Sequence, residues 1–392
     1  MTTMIQDHPQ GWRVVGGTFL LLLGGWSAVY AYAALAPAMA ASLGIGEAAL
    51  CLAYALAGGG CFLAGALSGP LADRIGARLP AKLGVALVTI GLLLAAGSDG
   101  LVAVALTFGL MVGIGVGLAY IPAMAAVQCC FTTRRGLASG IAAMGIGAAT
   151  LLVPMLAALL APLGDWRIQL QIMAAGVLLL LLAGASMLPA AALPRGAAEG
   201  PRLDAVRRSP AFRRLYLAVL LVSMPAALPF AWLPRSAEAA GLARPDALAL
   251  LGAIGLGSML GRVLLGHVAD RIGRGVTLLA CCVGIGLAMP VWAWAGTAAL
   301  MPFALAFGAF QGGFVALCPA VTVDLFGRRS AAGASGLLLT GRGIALLVAA
   351  PAAAQASLLF GEALPIAASG LCGLAGAALL HRVLVPARPR PG

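Results

Sequence analysis

Long apolar runs alternate with short polar gaps along almost the whole chain. A helix needs about 20 apolar residues to cross a bilayer. Twelve stretches reach that scale: 14–40, 48–70, 80–98, 100–125, 137–162, 168–188, 214–236, 246–267, 275–295, 298–324, 332–358 and 364–385. The pattern predicts an all-α membrane protein of twelve transmembrane helices in two pseudo-symmetric six-helix halves. The longest polar stretch, 189–213, is rich in Arg, Pro and Ala and reads as a linker between residues 1–188 and 214–392. The first run ends in Ala38-Met39-Ala40, which resembles a signal-peptidase site. A run beginning at Val14 is too long for the apolar core of a signal peptide, so an uncleaved first helix is expected.

Composition agrees with this reading: 62% of the 392 residues are hydrophobic and 9% are charged. A soluble domain needs roughly 25% charged residues to cover its surface. The formal net charge of +12 raises the question of nucleic acid, and its distribution answers against it. The even-numbered gaps hold Arg74, Arg78, Lys82, Arg134, Arg135, Arg195, Arg202, Arg207, Arg208, Arg213, Arg214, Arg271, Arg274, Arg328 and Arg329. Arg13 and the tail residues Arg382, Arg388 and Arg390 fall on the same side. The odd-numbered gaps hold only Arg167, Arg235 and Arg244, beside Glu47, Asp99, Asp165, Glu238, Asp246 and Glu362. This asymmetry is the positive-inside pattern and predicts cytoplasmic termini, with a bacterial inner membrane as the expected location. The eight cysteines lie in or beside apolar runs and make no metal-type spacing with the three histidines, so they read as small packing residues. No metal and no cofactor is expected, and a monomer is.

Two sequence markers recur in register. Gly69-Pro70-Leu71-Ala72-Asp73-Arg74-Ile75-Gly76 returns as Gly266-His267-Val268-Ala269-Asp270-Arg271-Ile272-Gly273, after the second run of each half. Phe131-Thr132-Thr133-Arg134-Arg135 has its counterpart in Phe326-Gly327-Arg328-Arg329, after the fourth run of each half. A parallel duplication explains both. The doubled Gly-x-x-x-Asp-Arg-x-Gly loop resembles the signature of the major facilitator superfamily, over essentially the whole chain. That resemblance implies alternating access, with Gly69, Asp73, Arg74, Gly76, Gly266, Asp270, Arg271 and Gly273 forming a cytoplasmic latch between the halves.

A narrower resemblance follows. Arg134-Arg135-Gly136-Leu137-Ala138-Ser139-Gly140-Ile141-Ala142, Gly261-Arg262-Val263-Leu264-Leu265-Gly266 and Gly336-Leu337-Leu338-Leu339-Thr340-Gly341-Arg342-Gly343 are similar to stretches of monocarboxylate porters and oxalate:formate-type antiporters. In that group a cation in span eight contacts the substrate carboxylate, and the oxalate type adds one in span eleven. Arg262 and Arg342 occupy those positions. The chain departs from the animal porters at Ser258, where they carry Asp, and from the oxalate type in having Arg rather than Lys in span eleven.

Charge deep in a membrane costs about 2.5–3.5 kcal/mol at a helix centre on insertion scales, so each such residue invites a functional reading. Arg342 lies near the middle of span eleven, with no Asp or Glu near the centre of any span to neutralise it. A mobile anionic substrate is the expected partner. Arg262 falls about a turn from the end of its predicted run, where it either joins the site, snorkels, or joins the latch with Asp270. Gln311, Tyr30, Tyr32, Tyr120 and Trp232 are further candidates for substrate contact by their polar or aromatic character at mid-depth. The sequence therefore predicts a transporter of a small organic anion, a mono- or dicarboxylate, coupled to a proton or a counter-anion. The alternatives are efflux of hydrophobic compounds on the same fold, which usually carries a Gly-Pro motif missing from span five here, and a non-transporting sensor. A membrane enzyme would need His, Cys or carboxylate clusters at membrane depth, which the sequence lacks.

Overall fold

A computed structural model describes residues 9–190 and 200–385. Arg195, Arg388 and Arg390 of the charge pattern, and residues 191–199 of the expected linker, lie outside those residues. So do the side chains of Glu47 and Cys51.

Each apolar run is a helix. In chain order the spans are Pro9–Leu43, Glu47–Leu63 continued by Gly65–Ile75, Arg78–Ala96, Leu101–Cys130, Arg135–Leu160, Trp166–Met187, Pro210–Ala239, Arg244–Ile272, Arg274–Trp294, Leu300–Phe326, Ala331–Phe360 and Ala363–Leu384. They are called spans one to twelve below. All are long and apolar enough to cross a bilayer. Several run past their predicted ends, span eight by five residues to Ile272. Counting apolar residues locates where lipid contact stops, whereas the backbone ladder carries on through the polar turn that follows.

Local chemistry sets the helix ends. Asp165 caps span six by accepting from the Arg167 and Ile168 amides. Ser209 caps span seven by accepting from Phe212, with Pro210 at the first helical position. Gly76 and Gly273, the last glycines of the two repeated motifs, end their helices at φ 88° and 108°. A side chain at either position would be strained in that left-handed region. The expected linker is partly folded: Leu203–Arg208 is a short helix with Val206 buried, and span seven begins at Pro210.

The spans pack through backbone contact, as expected where lipid removes the hydrophobic drive between helices. Within the second half, a β-carbon on Gly257 would stand 2.2 Å from the Leu305 carbonyl oxygen, and one on Gly312 2.2 Å from that of Ser258. Spans eight and ten are locked together in this way. Contact between the halves runs along spans five and eight on one side and spans two and eleven on the other. A β-carbon on Gly140 would lie 2.1 Å from the Arg262 carbonyl oxygen, and one on Gly69 2.2 Å from that of Ala332. The halves therefore meet most closely toward the ends that carry the basic loops, called the basic side here.

Candidate functional site

Arg262 and Arg342 come together between the halves. Arg262 lies ten residues before the end of span eight, about 15 Å along its axis. Arg342 lies eleven residues into span eleven, about 16 Å deep from the same side. Both are buried, at 3% and 7% exposure. In each, Nε and one terminal nitrogen are buried without a hydrogen-bond partner. The two guanidinium groups lie within electrostatic range of each other and of Tyr30 and Tyr120. Among the described residues no carboxylate pairs with either arginine. Arg262 therefore belongs neither to the membrane surface nor to the Asp270 latch, two of the places its predicted run left open to it. The longer span eight leaves it at mid-depth.

The walls are aromatic and thiol. The Arg342 guanidinium carbon sits 5.3 Å from the Phe62 ring centroid and 5.8 Å from that of Phe314. Such stacking supplies about 0.5–2 kcal/mol, too little to replace a counter-ion. Tyr120 meets Phe62 edge-on at 6.0 Å, and Trp26 lies between Tyr30 and Phe62. Cys61 and Cys318 lie near Arg342 from opposite halves. On span five, a β-carbon at Gly147 would stand 3.0 Å from an Arg262 terminal nitrogen, so the missing side chain makes room for the guanidinium. Phe62, Phe314 and Trp26 were not legible as site residues, because aromatics in apolar runs look alike until the arginines show which face is wet.

The remaining candidates divide. Tyr30 faces the arginines beside Thr150. Tyr32 stacks on Phe108 at 4.6 Å and on Tyr54 at 6.4 Å, inside the first half, because two residues along a helix reverse the face. Trp232 lies about 33 Å along span seven from Pro210, well beyond the depth of the arginines. Gln311 is buried and accepts from the Ser258 hydroxyl at 3.2 Å. Ser258 is one turn before Arg262, so this bond fixes the face that span eight presents. Ser258 thus supplies a structural hydroxyl where the animal porters carry an acid.

The basic side is closed by two clasps of the same design. Asp73 accepts from the amides of Ala332 and Gly333 at 3.1 and 2.7 Å, at the start of span eleven. Asp270 accepts from Gly136 and Leu137, both at 2.9 Å, at the start of span five. Each carboxylate satisfies amides left free at a helix N-terminus and meets the positive end of its dipole. Gly69 and Gly266 permit the close approach that brings the carboxylates there. The motif arginines Arg74 and Arg271 are not the partners. Arg274 instead bonds Asp270 at 2.9 Å and Asp324 at 3.0 Å, and donates to the Thr132 and Thr133 carbonyls. Arg135, buried at the start of span five, pairs with Asp324 across the halves. Arg328 donates to the Phe131 carbonyl at 3.1 Å.

Asp324 is thus the shared counter-ion of a cross-half network. Asp324→Ala would leave the buried Arg135 cation without a carboxylate, at a cost of about 2 kcal/mol after allowing for the partial exposure of Asp324. The expected result is a lower midpoint of thermal unfolding in detergent, largely restored in Asp324→Glu. An unchanged midpoint would show that the network contributes nothing to the closed form.

A twelve-span duplicated bundle closed by paired Asp clasps invites comparison with known transporters. The sequence profile of the Major Facilitator Superfamily matches residues 15–350. The chain belongs to this superfamily. It is 29% identical to monocarboxylate transporter 12-B of Danio rerio over 335 aligned positions, which cover 73% of this chain and 69% of that protein. It is also 27% identical to the agnestins efflux protein AgnL12 of Paecilomyces divaricatus, covering 80% of this chain and 73% of that one. The chain spans 64–69% of the length of the first monocarboxylate transporters it matches. The crystal structure of the human organic anion transporter MFSD10 (TETRAN) superposes with a TM-score of 0.78 at 19% identity. That match covers 95% of this chain and 100% of the other, and it bears on the fold alone. The named sequence relatives are vertebrate and fungal, and lend no support to the bacterial inner membrane expected above.

Proposed function

We propose that this superfamily member moves a small organic anion, a mono- or dicarboxylate, by alternating access. The observation that carries the proposal is the pair of buried arginines, each with unpartnered nitrogens and, among the described residues, no carboxylate beside it. Their planar forks suit a carboxylate through paired, charge-assisted hydrogen bonds. The halves, residues 1–188 and 214–392, would rock about this site. The anion would neutralise the cations and permit closure on both faces, and the bare site would resist it. By the positive-inside rule the clasped basic side faces the cytoplasm, so the form described here is closed toward the cytoplasm.

Coupling follows from the same inventory. With Ser258 committed to Gln311, no acid among the described residues stands beside the arginines to carry a proton, so the proposed counter-substrate is a second anion. Counterflow between anion-loaded vesicles and an external labelled anion should therefore proceed at the same rate with and without an imposed pH gradient. A rate that collapses when the gradient is removed would assign the coupling to protons.

Arg262→Gln tests the second arm of the site. Loss of one charged contact should raise the half-saturating concentration for the anion by about tenfold or more in vesicle uptake, with protein yield unchanged. The competing reading is efflux of hydrophobic compounds, favoured by the aromatic walls Phe62, Phe314 and Trp26 and by the fungal relative named as an efflux protein. Under that reading Arg262→Gln leaves export unchanged.

A further inference from the structure

The two clasps are equivalent in design but not in covering. Their hydrogen bonds set the correspondence: Gly333 occupies the place of Leu137, Ser330 that of Arg134, Arg74 that of Arg271, and Pro70 that of His267. At the Asp73 clasp this groove is covered by the chain itself. Ser330 donates to the Pro201 carbonyl at 3.0 Å, and a β-carbon on Gly333 would stand 2.9 Å from Leu203. At the Asp270 clasp the same groove is an open cleft of about 410 Å³, lined by Thr133, Arg134, Leu137, His267, Asp270 and Arg271.

The charge of that cleft is one-sided. The Asp270 oxygens are already taken by two amides and by Arg274. The side chains of Arg134, Arg271 and His267 are exposed, and among the described residues they have no ion-pair or hydrogen-bond partner. Thr133 and Arg134 come from the first half, and His267 and Arg271 from the second. An occupant bonded to both arginines would tie the halves together beside Asp270, much as the linker residues do at the other clasp. The residues after span twelve, including Arg388 and Arg390, are themselves basic and a poor charge match for this cleft.

We infer that the cleft between Arg134 and Arg271 is a regulatory site for a phosphate-bearing anion that holds the basic side closed. The tetrahedral, multiply accepting phosphate oxygens suit two guanidinium groups and an imidazole at a surface site. The same chemistry is offered by a lipid headgroup at the bilayer edge and by a free phosphate.

The test uses the full chain on the Arg342→Gln background, which removes the central anion contact, so failure of the proposed transport site leaves the comparison intact. Arg134→Gln/Arg271→Gln is set against that parent in two arms. One reads thermal unfolding in detergent with inorganic phosphate, against sodium chloride at matched ionic strength. The other reads it in phosphatidylcholine bilayers with and without phosphatidylglycerol. A raised midpoint in the parent, with an apparent affinity about tenfold weaker in the double Gln variant, supports the site. The arm in which it occurs identifies the source. Arg134→Lys/Arg271→Lys keeps the charge and should retain most of the shift, which separates a lost ligand from a damaged fold. Equal shifts in parent and Gln variant, or no shift in either arm, overturn the inference.

Discussion

Arg342→Gln should abolish carboxylate uptake while making the empty protein more stable. The two effects have one cause. Arg342 is buried with unpartnered nitrogens, has Phe62 and Phe314 against its guanidinium, and has no carboxylate partner among the described residues. In the empty protein it is therefore a cost, and removing the charge relieves it. In the anion-loaded protein proposed above it would be the main attraction, and losing it should weaken anion binding by about 100-fold or more, the loss seen when one partner of a buried charge pair is truncated. Uptake into proteoliposomes and thermal unfolding without ligand measure the two sides. A purely structural arginine would give the reverse: a less stable protein whose residual folded fraction transports normally.

The second large effect is expected at Gly140, where span five meets the backbone of span eight. A side chain there cannot coexist with the Arg262 carbonyl 2.1 Å from its β-carbon position. Gly140→Leu should force spans five and eight apart and hold the basic side open. Transport should fall by about fivefold to 100-fold, because overpacking a backbone contact of this kind costs about 1–3 kcal/mol against the closed form. Cys129 and Cys130, at the basic end of span four near Arg328, should then label faster with a membrane-impermeant maleimide applied from the basic side. Wild-type transport in Gly140→Leu would mean that the closed form described here is not part of the cycle.

The twelve spans and their division into halves were legible because bilayer thickness imposes a length that no tertiary contact can override. The duplicated motif was equally legible, since Gly76 and Gly273 need left-handed backbone and Asp73 and Asp270 need a helix terminus to accept from. Its partners were not. The sequence placed the motif Asp and Arg residues in a latch between the halves without naming what they bond, and it is the helix N-termini of the opposite half that supply the donors to Asp73 and Asp270. Arg274, Arg135 and Asp324 form the ion pairs instead. Among the site residues, Arg342 stood out because a central charge without an acid is rare. Arg262 was ambiguous because five further residues of helix beyond its apolar run set its depth. Tyr32 and Trp232 were misplaced for a geometric reason: mid-span aromatics carry no mark of which face, or which depth, they occupy.

The buried arginine pair is expected to bind a carboxylate. Thermal unfolding of the purified protein against a panel of carboxylates, organic amines and lipophilic cations, with Arg342→Gln alongside, tests it most directly. A ligand present at about 100 times its dissociation constant stabilises the native state by roughly 2.7 kcal/mol, a shift readily seen. One class of carboxylate should raise the midpoint of the wild-type protein and leave Arg342→Gln unmoved. Stabilisation of both proteins by lipophilic cations, with carboxylates affecting neither, would rule out a carboxylate site at the arginine pair and make efflux of hydrophobic compounds the function to pursue.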